Sequence, residues 1–231
     1  MSVGRHRLVI FYQGQRMKVD LVSLTVPEGL DMTPEQFIVH VARVSNPENQ
    51  MNVETSERLI RYLIKHAHWS PFEFVDMTVK IVTRRSIAAQ ILRHKSFSFQ
   101  EFSQRYSVAT EIEPIELRLQ ADKNRQSSAD TITSPILEEM IEKSIDIAIT
   151  TYNLMIRNGV AREVARDVLP LATQTTLYMK GSVRSWIHYL QLRMDQTTQK
   201  EHRLIAEAIY NIFCEKFPTI AEIINPSATD N

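Results

Sequence analysis

Apolar residues recur along the chain at two periods, and the changes of period mark out its elements. Near the start, Leu8 to Tyr12 is a short apolar run behind Arg5-His6-Arg7, which predicts a strand with a basic surface lead-in. Met17 to Val26 sets Val19, Leu21 and Val22 among polar neighbours and predicts a second strand, ended by Pro27 and Gly29. Thr33-Pro34-Glu35 is a helix start with proline in the first turn. The helix it opens carries Phe37, Ile38, Val41 and Ala42 on one face and stops near Ser45-Asn46-Pro47. Leu59, Ile60, Leu63 and Ile64 lie at helical spacing and predict a second helix over about Ser56 to Ala67. Phe72 to Val82 alternates as a strand does, and Ser86 to Arg93 predicts a helix with Ile87, Ile91 and Leu92 inward.

Beyond Tyr106 the pattern weakens. Glu111 to Thr133 is polar and charge-rich, and its 123–130 portion predicts a mobile surface loop. Helical period returns from Ser134 to Asn158, where Ile136, Leu137, Met140, Ile141, Ile145, Ile147 and Ala148 define a long amphipathic helix closed by Asn158-Gly159. Thr197 to Phe217 predicts a further helix, with Leu204, Ile205, Ala208, Ile209, Ile212 and Phe213 inward and Cys214 on its edge. Residues 1–225 read as a single domain and 226–231 as a polar tail. The expected class is α/β in the α+β sense, an antiparallel sheet whose strands come early, flanked by long helices that dominate later.

Composition narrows the chemistry. A hydrophobic share of 43% with 23% charged residues is an ordinary globular balance, and 231 residues suffice for one sizeable core. Net charge is zero and the pI is 7.1, so the chain is not built as a polyelectrolyte for nucleic acid or an anionic membrane; any positive potential must be local. The single cysteine, Cys214, excludes an intrachain disulfide and fits a reducing compartment. The run Leu8 to Tyr12 is far too short for a signal sequence or a membrane span, so the expected location is the cytoplasm. The seven histidines include no His-Glu-x-x-His or Cys/His cluster that would argue for a metal. The five glycines all lie away from the basic segment described next, so neither a dinucleotide fingerprint nor a P-loop is available. A nucleotide bound here would have its phosphates held by side chains, and arginine is suited to doing so bidentately.

The segment Gln90 to Tyr106 gathers Arg93, His94, Lys95 and Arg105 with Ser96, Ser98, Gln100, Glu101 and Ser103, anchored by Ile91, Leu92, Phe97, Phe99 and Phe102. Its phenylalanines step by two and three, which fits a helix end running into an extended turn that presents side chains to a ligand. Arg-His-Lys, seven residues and Ser103 resembles the signature of the flavin-dependent thymidylate synthases, with Glu101, Arg105 and Tyr106 at the matching places. Lys95 stands where that family usually has Arg, and Gln100 where Asn is common. His68-Trp69-Ser70-Pro71-Phe72-Glu73 resembles the family's His-x-x-Pro-Phe-Glu run, and Arg162 to Arg193 its third conserved region, from the Ala-Arg-x-x-Leu-Pro run to the terminal Leu-Arg.

The resemblance implies a dUMP site made by Gln90, Arg93, Glu101, Ser103, Gln104, Arg105, Arg166 and Arg193, with Arg193, Ser103 and Glu101 closest to the chemistry. It implies FAD contacts from His68, Ser70, Glu73, Arg93, His94, Lys95, Gln100, Glu101, Ser182, Arg184 and His188. The implied reaction is reductive methylation of dUMP to dTMP, with the carbon from 5,10-methylenetetrahydrofolate and the hydride from FAD reduced by NADPH. A homotetramer with active sites between subunits is implied too, and at least one of Arg166 and Arg193 is expected to come from a neighbouring chain. Glu101 is either a proton-handling group or an anchor for Arg105. Ser103 has no histidine or lysine base at a defined distance and is assigned to phosphate binding, and no thiol is placed for nucleophilic catalysis.

Two other readings use the same residues. A related folate- or flavin-dependent enzyme, such as one that hydroxymethylates a pyrimidine nucleotide, would keep the phosphate arginines. A non-catalytic nucleotide or RNA binder would use the basic and aromatic groups for stacking and phosphate contact. Neutral net charge weighs against the binder.

Overall fold

The computed structural model describes residues 17–106, 108, 111–124 and 127–225. The expected strand at Leu8–Tyr12 and the tail at 226–231 lie outside them. A four-stranded antiparallel sheet, ordered β1-β2-β6-β3, is built from β1 (Lys18–Leu24), β2 (Asp76–Arg84), β3 (Ser98–Glu101) and β6 (Gln174–Ser182). In β2 the alternate residues Met77, Val79 and Ile81 are fully buried, which is the period that recommended this segment as a strand. The strand begins later than expected, because Pro71 at the head of Ser70–Glu73 starts a 3-10 turn that takes Phe72 into the core before the chain extends.

β6 was not anticipated, although it lies at the centre. Thr175, Leu177, Met179 and Gly181 alternate inward along it, but threonines, Lys180 and the glycine dilute the apolar signal. It pairs with β2 over nine positions, from Asp76 opposite Ser182 to Arg84 opposite Gln174. The 123–130 loop is corrected at its end, since 128–130 belong to β5 (Ser128–Thr131), which pairs with β4 (Arg118–Gln120) as a small separate hairpin. A two-stranded ribbon with both faces polar carries no hydrophobic alternation to betray it.

Helices α1 (Pro34–Ala42), α2 (Ser56–Lys65), α6 (Val183–Arg193), α7 (Lys200–Lys216) and α8 (Pro218–Ile224) pack with the sheet into one apolar core. α1 opens with a full capping box between Thr33 and Gln36. Its inward face is turned from the expected one, with Ile38 and Val39 buried where Val41 was anticipated. The rotation brings Glu35 inside to accept the Ile220 N–H at 2.9 Å and tie α1 to α8, a helix that was not predicted beyond the expected end of α7 at Phe217. α3 (Arg85–Ile91) follows β2 directly, and α6 follows β6 directly. α4 (Pro135–Arg157) is the long helix expected, yet among its residues only Tyr152 is buried, and Ile136, Met140, Ile147 and Leu154 are exposed. α5 (Arg162–Ala165) and a 3-10 turn at Arg166–Val168 pack against it.

Gly181 marks the tightest approach of sheet and loop. A Cβ there would lie 2.5 Å from Phe97 Cδ1, and Phe97 is wedged edge-on against Trp186 at 4.6 Å and Tyr189 at 5.8 Å between ring centres. Gly181→Ala is expected to lower stability by about 1–3 kcal/mol through overpacking, read as a lower urea midpoint. An unchanged midpoint would mean that the Phe97 ring turns aside freely.

Candidate active site

Three local groupings hold the residues singled out in the sequence. The first sits where α3 ends. Gln90 lies in its last turn, and Arg93, His94 and Lys95 occupy the turn that leads to β3. From the far end of α6, Arg193 Nε donates to His94 Nε2 at 3.0 Å, so the first and third sequence motifs meet. The His94 ring stands edge-on to Tyr189, 4.9 Å between centres. Burial first, and then the Arg193 guanidinium, push His94 down to about 4, which leaves Nε2 as a neutral acceptor. Arg93 and Lys95 are exposed, and neither has a carboxylate within ion-pairing distance among the described residues.

The second grouping follows β3. Glu101 Oε1 accepts from Thr175 Oγ1 at 2.9 Å and lies 3.7 Å from Arg85 Nη1. Anchoring of Arg105 by Glu101 is therefore not what holds Arg105; its Nε lies 3.7 Å from Glu163, the residue whose carbonyl accepts from Arg166 Nε at 3.2 Å. Arg162 donates to the Tyr106 carbonyl at 2.7 Å. Arg105 and Arg166 thus meet at Glu163 on one face, and the Arg162 bond to Tyr106 lays the segment after β3, Ser103 included, near α5. Gln104 is turned into the interior at 3% exposure, with no partner for Nε2 among the described residues. Gln100 alternates outward on β3. No hydrogen bond or ion pair joins this face to Arg193 and His94 among the described residues.

The third grouping surrounds the start of α6. Ser182, its N-cap, donates to Glu73 Oε2 at 2.5 Å, and Arg184 Nη1 reaches Glu73 Oε1 at 2.8 Å. These contacts, the Ser182 bond first, hold the Glu73 carboxyl below its usual value. His188, one turn further, stands edge-on to Trp69 at 4.8 Å, and burial and Arg184 lower its pKa. His68 and Ser70 come from the turn that ends α2. There Ala67 takes φ 54, the left-handed conformation, and the N–H of His68 bonds back to the Leu63 carbonyl at 2.8 Å. A non-glycine residue in that conformation is strained, and here it aims His68 and Ser70 outward.

Other functional candidates escaped the sequence reading. His202 is fully buried on α7, and Arg84, Glu113, Glu201 and Arg118 form a cluster of buried ion pairs behind Gln90. His202 occupies the same helical stripe as Ile205, Ile209 and Phe213, and a histidine inside an apolar stripe is the signal by which it could have been found. A cavity of about 510 Å³ lies on the outer side of that cluster, lined by residues that include Arg118, Asp130, Gln199, Lys200 and Arg203 and by none of the predicted site residues. Its cations are engaged, Arg118 with Glu201 at 2.5 Å and Lys200 with Glu116 at 2.8 Å.

Burial drives His202 down to about 3, with Arg193 and His94 adding to the shift, against an ordinary value of 6.5. Both imidazoles are therefore neutral in the fold, while the unfolded chain protonates them below about pH 6.5. Unfolding then takes up protons, so stability is full above pH 6.5 and falls as pH drops from there toward 4 and 3. His202 costs about 1.4 kcal/mol per pH unit in that window, and the half-exposed His94 less because solvent screens it. Urea midpoints at pH 7 and pH 5 should differ by one proton's worth less in His202→Asn than in the parent; equal pH dependence in the two proteins would contradict a neutral buried His202.

Comparison with known proteins points one way. Residues 30–219 match the family described as thymidylate synthase complementing protein. The chain is 50% identical over 216 residues to a flavin-dependent thymidylate synthase of Synechocystis, spanning 89% of this chain and 98% of that one. It is 45% identical over 219 residues to a probable flavin-dependent thymidylate synthase of Paramecium bursaria Chlorella virus 1, spanning 90% and 99%. Among solved structures it resembles a UMP/dUMP methylase, PolB of Streptomyces cacaoi bound with 5-Br dUMP, at a TM-score of 0.77 and 26% identity over 90% of this chain and 94% of that one.

Proposed function

The chain belongs to the flavin-dependent thymidylate synthase family, and from that premise we propose that it methylates dUMP with carbon from 5,10-methylenetetrahydrofolate and reducing equivalents from NADPH passed through FAD. The observation that carries this reading is the Arg193 to His94 bond, which joins two distant sequence motifs into one cationic corner. Hydroxymethylation is not favoured, because the matched relatives and the solved neighbour are named as thymidylate synthases and a methylase. The non-catalytic binder is not favoured for the same reason. Among the described residues no helix is long and apolar enough to cross a membrane, and the proposed location is the cytoplasm.

The donor set fits FAD. Arg93 and Lys95 are exposed cations free of carboxylate partners among the described residues, as a pyrophosphate requires where no glycine loop exists. Glu73, fixed by Ser182 and Arg184, offers an oriented carboxylate for hydroxyl or ring N–H groups. His68, Ser70, His94, Gln100, Glu101 and His188 complete the proposed flavin contacts. Bound there, the reduced cofactor supplies the hydride that brings the transferred one-carbon unit to a methyl group.

Around it the chain's own residues bind and orient. Arg93, Arg105 and Arg166, with the Ser103 hydroxyl, take the dUMP phosphate, each charged contact contributing about 1.5–3 kcal/mol. Gln90 and Gln104 complete the nucleotide contacts. Arg193 is oriented by a neutral His94, so its remaining N–H groups face the uracil and stabilise negative charge as the C5 proton leaves and the C5–carbon bond forms. Glu101, tethered at Oε1 by Thr175, keeps Oε2 to accept that proton or a substrate N–H. The protein loaded with FAD should show a flavin absorbance band that NADPH bleaches faster in the presence of dUMP, with formation of dTMP from methylenetetrahydrofolate. Arg193→Ala should lower turnover at least a hundredfold while retaining FAD; no flavin binding in any nucleotide-loaded state would end the reading.

A homotetramer with shared sites is part of the proposal. It is supported by α4, whose Ile136, Met140, Ile147 and Leu154 recur at helical spacing and face solvent in the single chain. The expected division of arginines narrows to Arg166 as the one a neighbour supplies, because Arg193 sits with His94 beside Arg93 of its own chain, whereas Arg105 and Arg166 share the other face. Mixed oligomers of Arg193→Ala and Arg166→Ala subunits should recover activity, with about one site in four intact on random assembly. Mixed Arg193→Ala and Arg93→Ala subunits should not recover. Recovery in the second mixture, or none in the first, would overturn this division.

A further inference from the structure

Behind Gln90 runs a chain of hydrogen bonds whose direction is fixed from one end. Glu201, 3% exposed, has Arg118 Nη2 at 2.5 Å and Arg84 Nη2 at 3.6 Å on Oε1, so its carboxylate can act as an acceptor towards everything else it meets. Gln199 Nε2 must then donate to Glu201 Oε2, at 3.0 Å, which turns Gln199 Oε1 toward Gln90. Gln90 Nε2 donates to that oxygen at 2.7 Å. The other end of the Gln90 amide, Oε1, lies 3.4 Å from His202 Nδ1, and His202 Nε2 lies 3.1 Å from the Tyr189 hydroxyl. An imidazole has one N–H and one lone pair when neutral, so Nδ1 donates to Gln90 and Nε2 accepts from Tyr189. Every link agrees with its neighbours, and none can be reversed without setting a donor against a donor or a lone pair against the carboxylate.

We infer that Glu201, Gln199 and His202 are positioning residues that lock the orientation of the Gln90 amide and thereby set the affinity of the site for its pyrimidine nucleotide. The inference rests on the reading of Gln90 as a dUMP contact. An amide free to flip offers its donor and acceptor in either order; one held at both ends keeps a single N–H and a single lone pair in fixed places for the ligand. The neutral state of His202 is consistent with its burial between these partners. Tyr189 also bears edge-on upon His94, which receives the Arg193 bond, so the same chain braces both residues of the cationic corner. Nothing in the predicted motifs includes Gln199, Glu201 or His202.

The test uses the FAD-loaded oligomer and follows dUMP binding by its perturbation of the flavin spectrum. Gln199 is exposed, so Gln199→Leu should fold normally while removing both of its bonds. It should raise the dUMP Kd about three- to tenfold, the size expected for one net hydrogen bond, and leave the FAD Kd within twofold. In a Gln90→Ala background the same change should alter the dUMP Kd less than twofold, because its effect passes through Gln90. His202→Leu should behave like Gln199→Leu, and His202→Asn, whose amide N–H replaces Nδ1, should recover most of the loss. The inference is overturned if Gln90→Ala weakens dUMP binding but Gln199→Leu does not, or if Gln199→Leu acts equally with and without the Gln90 side chain. If Gln90→Ala itself leaves dUMP binding intact, the inference is overturned through its premise, while dUMP binding and methylation by the parent protein keep the wider functional reading standing.

Discussion

The nine-position ladder between β2 and β6 is the constraint on which the rest depends. Each of these strands runs without a loop into a helix that bears site residues, β2 into α3 at one end and β6 into α6 at the other. Because the two strands are antiparallel, the helices leave from opposite ends, and only the fixed register lets the tip of α6 return to the turn that follows α3. A slip of one residue would invert the inward set of Met77, Val79 and Ile81 against Leu177 and Met179 and carry Arg193 away from His94. Trp186 fastens the arrangement by donating from Nε1 to the Met77 carbonyl at 3.1 Å, so α6 is held to β2 as well as to its own strand.

Charge is handled in two distinct ways on this scaffold. At the surface, Arg93 and Lys95 keep their charges uncommitted among the described residues, which suits the phosphate recognition proposed for them. Inside, Arg84, Glu113 and Glu201 are all nearly without exposure and are balanced with the help of Arg118, Arg84 Nε reaching Glu113 at 3.2 Å and Arg118 Nη2 reaching Glu201 at 2.5 Å. Burial raises the Glu113 carboxyl and Arg84 opposes the shift, the balance expected of desolvated charge held by its partner. Buried ion pairs in general stabilise a fold no more than well-packed apolar residues of the same volume often do. The cluster is better understood through what it fixes: a carboxylate held by Arg118 on one oxygen accepts from Gln199 on the other and so gives the adjacent amides a direction.

Two amphipathic helices illustrate how much an apolar stripe leaves open. α7 and α4 share the same helical period in the sequence, yet α7 buries Ile205, Ile209 and Phe213 completely while α4 leaves Ile136, Met140 and Ile147 in solvent. The period states that a face is apolar and is silent on what covers it. For α7 the cover is the chain's own sheet and the neighbouring α6 and α8; for α4 it is proposed to be another subunit.

The sequence by itself determined the family resemblance and about half of the elements. Local signals carried them: the Thr33-Pro34 start of α1, the Asn158-Gly159 end of α4, the alternation of β2, and three motifs whose arginines, histidine and serine are spaced along one chain. Each such signal is written within a few residues, so it survives without knowledge of the fold. What the tertiary structure decided is pairing across distance. It placed Glu101 on Thr175 and Arg85 instead of Arg105, set Arg193 beside His94, and put the threonine-rich β6 at the middle of the sheet. It also brought His202 and Gln199 behind Gln90, over a hundred positions away in sequence. The physical reason is that hydrogen-bond partners and burial on both faces of a strand belong to no single segment; they exist only once the β2–β6 register has brought the segments together.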